Sequence, residues 1–251
     1  MDAQQIDWRK WRKVFEGRAD RPLPALESDM DYSILPNSLA KSLAIFQLGE
    51  SGGGTVIEQV RRSNLPGTDD HYAESMALFV KEENRHANVL AMCVRLLGGT
   101  LIRKNWTAHL FVITRRLMGL RLKVLVLLAA EVVGICYYHL LASQLPSCSV
   151  QRWLTQMVDD EQSHLYFHCD FLQSQTRSAC KRRIFVAVWR SMMVAAAIAV
   201  IVDHRKAIRD MGLDFKTVWH RWMSYSRFAE QLVTGTVSPS RSLQPGQTEY
   251  A

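Results

Sequence analysis

Proline and glycine are scarce in this chain, at 7 and 13 of 251 residues, and the apolar–polar alternation that marks strands is hard to find. A β-rich architecture is thereby excluded. Long stretches carry apolar residues three and four apart instead, so the class is all-α. Cysteine lacks pattern: Cys93, Cys136, Cys148, Cys169 and Cys180 are odd in number and form no C-x-x-C. That argues against a disulfide framework, a zinc ribbon and a rubredoxin-like iron site. The opening residues, MDAQQIDWRKWRK, hold no apolar run, so no signal peptide is expected and a cytoplasmic location is.

The hydrophobic content of 48% and charged content of 22% are ordinary for one large globular core. Basic residues outnumber acidic ones, 31 to 24, and fall in short clusters such as Arg9-Lys10, Arg61-Arg62, Arg115-Arg116 and Lys181-Arg182-Arg183. Solvated helix faces account for most such clusters. They also admit an acidic carrier protein or an anionic membrane surface, while nucleic acid is not expected as a partner. Two segments are apolar enough to span a bilayer by length, Leu117 to Ala142 and Ile184 to Val202. Glu131, Arg121 and Lys123 interrupt the first, so buried bundle helices are the expected reading, with peripheral membrane contact as a lesser one.

Turn signals divide the chain. Residues 1–37 form an N-terminal extension with an amphipathic stretch from Ile6 to Phe15. Helices are expected at about 38–63, 70–97, 118–144 and 149–176, with the turn at Asn64–Asp70, Gly98-Gly99 and Leu145–Ser149 between them. Further helices at about 179–210 and 214–233 make a unit over 177–234, and residues 235–251 read as a disordered tail. Short turns join the first to the second and the third to the fourth helix, making two antiparallel hairpins. A link of about twenty residues between them is long enough to travel the length of a helix. Two hairpins joined by one crossover is the arrangement of a ferritin-like four-helix bundle, here with additional C-terminal helices.

Two E-x-x-H motifs stand within these helices, Glu83-Asn84-Arg85-His86 and Glu161-Gln162-Ser163-His164. The i,i+3 spacing puts each Glu and His on one helix face. The remaining two helices each offer a carboxylate at matching depth: Glu50 precedes Glu83 by 33 residues and Glu131 precedes Glu161 by 30. The order E, ExxH, long gap, E, ExxH is that of di-iron carboxylate bundles. Glu131 is surrounded by Leu-Val-Leu-Leu-Ala-Ala and Val-Val-Gly-Ile, where a lone carboxylate would be costly or protonated. Four glutamates and two ferrous ions together are neutral, which suits a bundle core. Glu58 lies on a face similar to that of Glu50, but its interval matches less well.

Glu82 and Asp160 each precede a motif glutamate and are placed to accept a hydrogen bond from a ligand histidine. His168, one turn beyond His164, is an extra ligand or a neighbouring group, with a plain structural role preferred. Tyr137 and Tyr138 read as core aromatics, and Asp203-His204-Arg205 as a helix emerging into solvent. The run Gly52-Gly53-Gly54 costs a helix roughly 1 kcal/mol per residue and could open space beside Glu50.

At Glu82-Glu83-Asn84-Arg85-His86 and Asp160-Glu161-Gln162-Ser163-His164 the sequence resembles the soluble acyl-carrier-protein desaturases of the ferritin-like superfamily, over roughly residues 38–176. The resemblance implies that Glu50, Glu83, His86, Glu131, Glu161 and His164 ligate two irons, with manganese admissible at one position. It also implies dioxygen activation and hydrogen removal from a fatty acyl chain. Ser163 stands where that family has arginine, and the glycine run after Glu50 is foreign to it; both departures bear on substrate. The expected activity is an oxygen-dependent desaturase or hydroxylase, fed electrons by a ferredoxin or reductase, with an acyl carrier protein as candidate partner and a homodimer as the expected assembly. The alternative is iron oxidation and storage, or peroxide removal, as in ferritins and rubrerythrins.

Overall fold

The computed structural model describes residues 6–22, 26, 30–51, 55–63, 65–109, 113 and 119–237, and no strand occurs among them. The principal helices are α1 (Trp8–Glu16), α2 (Asn37–Glu50), α3 (Thr55–Arg62), α4 (Asp70–Leu96), α5 (Leu120–Gln144), α6 (Ser149–Gln175), α7 (Ala179–Asp210) and α8 (Phe215–Thr234). Side chains at the N-termini fix several starts: Asp69 accepts from the Tyr72 amide, Ser178 from Lys181 and Asp214 from Thr217. Gly98 and Gly212, at φ 69° and 71°, turn the chain out of α4 and α7 in a conformation open mainly to glycine.

The core is two hairpins. α5 packs along α6, α2 and α3 pack on α4, and the two pairs meet through α4 with α6 and α3 with α5. From Lys123 to Ala142 α5 is buried on nearly every side, which explains why this stretch is largely apolar, Lys123 and Glu131 aside: it is the central helix of a bundle. α1 lies across α4, and its Trp11 Nε1–H donates to Asp170 on α6 at 2.8 Å. α8 covers α5 and α6, and α7 packs on α2, α5 and α8. Trp222 on α8 donates to the Val133 carbonyl at 3.2 Å, and Trp189 on α7 to Ser226 at 3.0 Å.

The expectation of one helix over 38–63 is corrected. α2 stops at Glu50 because Ser51 takes an extended backbone (φ −76°, ψ 130°), and α3 begins at Thr55. A helix carrying three consecutive glycines would lose about 1 kcal/mol at each, and interruption avoids that loss. Gly52, Gly53 and Gly54 themselves lie outside the described residues, as does most of the expected tail.

His204 is a second correction. It does not emerge into solvent; it is buried, with Nδ1 2.7 Å from Ser42 Oγ of α2, which lies 2.6 Å from the Tyr137 hydroxyl of α5. Burial pushes its pKa from 6.5 down to about 4, with Asp203 opposing. As pH falls through 6.5 the unfolded chain takes up a proton that the folded chain refuses until about pH 4. Folding stability should therefore drop over that window, by up to about 3 kcal/mol. Subtracting the urea-denaturation profile of His204→Gln from that of the unaltered protein isolates this contribution, and a flat difference would refute it.

Candidate metal centre

The helical i,i+3 offset delivers Glu83 and His86 from α4 and Glu161 and His164 from α6 to one buried point, where one donor atom of each lies within 4.8 Å of all the others. His86 Nδ1 is 3.0 Å from Glu161 and 3.6 Å from Glu83. His164 Nδ1 is 2.7 Å from Glu161, 3.0 Å from Glu83 and 3.7 Å from Glu131. Glu131 and Glu50 flank this group from α5 and α2, each acting electrostatically on both Glu83 and Glu161. All six residues proposed from the sequence are thus in one place. Glu58 is elsewhere, paired with Arg62 on the surface.

Glu82 and Asp160 form the next layer, and they do so crosswise. His164 Nε2–H donates to Glu82 at 2.9 Å, and His86 Nε2 lies 3.4 Å from Asp160. Each histidine is therefore held by a carboxylate from the opposite hairpin, with its Nδ1 turned inward. Asp160 also binds Arg85, Arg18 and Arg21, and Arg85 reaches Glu82 at 3.1 Å. The sequence reading missed Arg18 and Arg21, which come from the turn after α1; Arg85 carries a local signal, sitting three residues after Glu82. Tyr138, a core aromatic by its sequence context, also has a polar role: its hydroxyl donates to Glu50 at 2.7 Å.

Charge in this site is finely partitioned. Burial, then Glu83 and Glu161, push Glu50 well above the usual carboxylate range, and burial, then Glu161 and Glu83, do the same to Glu131. Burial works against Glu83 and Glu161 too, but contacts with His86 and His164 outweigh it and hold both down. Both histidines are raised, against burial, chiefly by Glu161. Without metal, then, two carboxylates and two imidazolium rings balance, and Glu50 and Glu131 stay neutral. Glu83 Oε1 and His86 Nδ1 are nonetheless buried without an aligned hydrogen bond, held only by the charged contacts given above. Four carboxylates, two inward nitrogens and these two unaligned atoms fit a pair of divalent cations with mixed oxygen and nitrogen ligands.

His168 packs edge-on to Phe79 with its Nε2 3.4 Å from Glu131, and neither ring nitrogen has a hydrogen-bond partner. Burial, then His164, press its pKa down to about 3, so the ring is neutral. A cavity of about 250 Å³ adjoins the carboxylates, lined by Phe46, Gly49, Glu50, Glu83 and Glu131 and by apolar residues of α5 and α7, with Thr107 and His204 also on its wall.

No protein-family model and no curated protein matches the chain. Among solved structures it is similar to "Protein 19 with aldehyde deformylating oxidase activity" from Synechococcus, with a TM-score of 0.61 and 16% identity over 82% of this chain and 94% of that one. At such identity the likeness speaks to fold alone: an all-helical, ferritin-like bundle.

Proposed function

We propose that the chain is an oxygen-dependent di-iron oxidoreductase acting on an apolar, fatty-acyl-derived substrate, with Glu50, Glu83, His86, Glu131, Glu161 and His164 as the metal ligands. The observation that carries this reading is an apolar cavity whose wall includes three of those carboxylates, Glu50, Glu83 and Glu131. Iron bound there would supply the reduction of dioxygen and the oxidising equivalent for the substrate. The chain's own residues do the rest. Glu82 and Asp160 hold the Nε2 protons and so fix both imidazoles; Tyr138 keeps a proton on its oxygen and steers Glu50; the aliphatic lining excludes water and aligns the chain of the substrate.

Desaturation and hydroxylation remain the proposed outcomes, with electrons from a ferredoxin or reductase and an acyl carrier protein as candidate carrier. The activity named for the Synechococcus protein adds aldehyde deformylation as a third. The test is anaerobic Fe(II) titration, then an O2 pulse with a panel of acyl carriers, free fatty acids and aldehydes, following absorbance and products. Two irons per chain and substrate-dependent product are expected. Continuous oxidation of many irons per chain, indifferent to substrate, would favour storage instead. Metal uptake should also release protons, because groups protonated in the metal-free site (Glu50, Glu131, His86, His164) must give them up. Affinity should accordingly rise with pH, and calorimetry in buffers of different ionisation enthalpy checks it.

A further inference from the structure

α7 has an apolar face on which none of the described residues packs. Ile184, Val188, Val194, Ile198 and Val202 recur at helical spacing, and the outward side chains reach 58% exposure at Ile184 and 52% at Ile198. Phe185, Trp189, Met193 and Ala197, on the opposite side, are buried against the bundle. The stripe from Ile184 to Val202 runs about 27 Å along the surface. Isolated exposed apolar residues are ordinary; a continuous stripe of them marks a contact.

The charges that α7 itself carries along the stripe are basic, and of these Arg190 is paired with Glu230 of α8. No acidic residue occurs between Ala179 and Val202, and Lys181, Arg182 and Arg183 stand exposed at its start. Beyond its far end Arg205 and Arg209 are exposed, while Lys206 is paired with Asp210. Asn105 and Thr107 hydrogen-bond Asp203 at 3.0 and 2.6 Å, which pins residues 103–107 beside that end. This segment brings exposed Arg103 and Lys104, and Trp106 at 53% exposure. An apolar strip with basic ends and a neighbouring tryptophan matches the headgroup region of a bilayer containing anionic lipid.

We propose that α7 rests flat on an anionic lipid surface through this face. Spanning is excluded for the helix as placed, since its inward side is packed lengthwise on α2, α5 and α8. Met192, Ala196, Ala199 and Val200, next around the helix from the stripe, line the cavity, so an apolar molecule leaving the lipid would meet its wall directly. That consequence rests on the function proposed above; the lipid contact does not.

The experiment is co-sedimentation of the full chain with phosphatidylcholine vesicles, with and without roughly one-third phosphatidylglycerol, alongside sedimentation velocity. Among the described cysteines Cys180 alone is exposed, so an environment-sensitive dye there reports insertion of the adjacent stripe. Binding is expected only with the anionic lipid, weakened by salt. It should fall at least about tenfold in Val194→Gln/Ile198→Gln and in Lys181→Gln/Arg182→Gln, with unchanged circular dichroism. Absence of vesicle binding would overturn the proposal. So would a dimer that the apolar double variant dissolves while vesicle partition stays the same, since the face would then be an interface between copies of this chain. Neither readout needs iron, oxygen or substrate, so failure of the enzymatic reading leaves this result intact.

Discussion

Glu131→Gln should leave the metal-free protein melting almost where it did and remove most of the stabilisation that ferrous iron confers. The reason is the state of the residue before metal arrives. Burial among aliphatic side chains, reinforced by Glu161 and Glu83, keeps Glu131 protonated, and glutamine is close in shape to a neutral carboxylic acid with the same capacity to donate and accept. The metal-free change should therefore stay within about 1 kcal/mol. Metal, by contrast, needs the anion. A ligand present at a hundredfold excess over its dissociation constant stabilises a fold by about 2.7 kcal/mol, and loss of one anionic ligand from a dinuclear site should weaken binding by more than about 100-fold. Paired thermal melts with and without anaerobic Fe(II), combined with metal analysis, make the test. Two irons per chain and an undiminished shift in the variant would remove Glu131 from the ligand set.

Asp160→Asn should do damage of a different kind, lowering stability and metal affinity together. The carboxylate is buried and gathers Arg85, Arg18 and Arg21 with His86. Removing one partner from such a buried ion cluster typically costs 3–5 kcal/mol; Arg21 is partly solvated, so the expected loss is about 3 kcal/mol. The amide can donate where the carboxylate only accepted, which disturbs the orientation of His86 and should reduce iron affinity about 10–100-fold. Urea denaturation of the metal-free protein and iron titration of the same variant separate the two effects. Intact affinity beside lost stability would make Asp160 a purely structural anchor.

Much of this architecture is legible in the residues, for local reasons. α4 and α7 begin where Asp69 and Ser178 cap them, and α4, α7 and α8 end at glycines in the left-handed region, so sequence and structure agree there to a residue or so. The E-x-x-H spacing likewise survives folding because i,i+3 geometry is a property of one helix. What the sequence hides depends on where two helices meet. Nothing within α4 says that Glu82 will serve the histidine of α6. Nothing near Arg18 says that a turn will lay it against Asp160. His204 was readable in principle: it continues the Met193, Ala197 inward spacing of α7, but the flanking Asp203 and Arg205 mask that pattern. The break after Glu50 is signalled by three glycines, whose cost to a continuous helix is avoided by ending α2 before them.

The crosswise holding of the two histidines has a consequence for assembly. A hairpin that has formed alone carries a motif glutamate and histidine but lacks the carboxylate that aims its ring, because that group sits on the other hairpin. With metal bound as proposed, ion capture would act as a proofreading step: a chain caught half-docked would offer misdirected donors and gain nothing from the cation, whereas correct mating of the two halves would be rewarded at once.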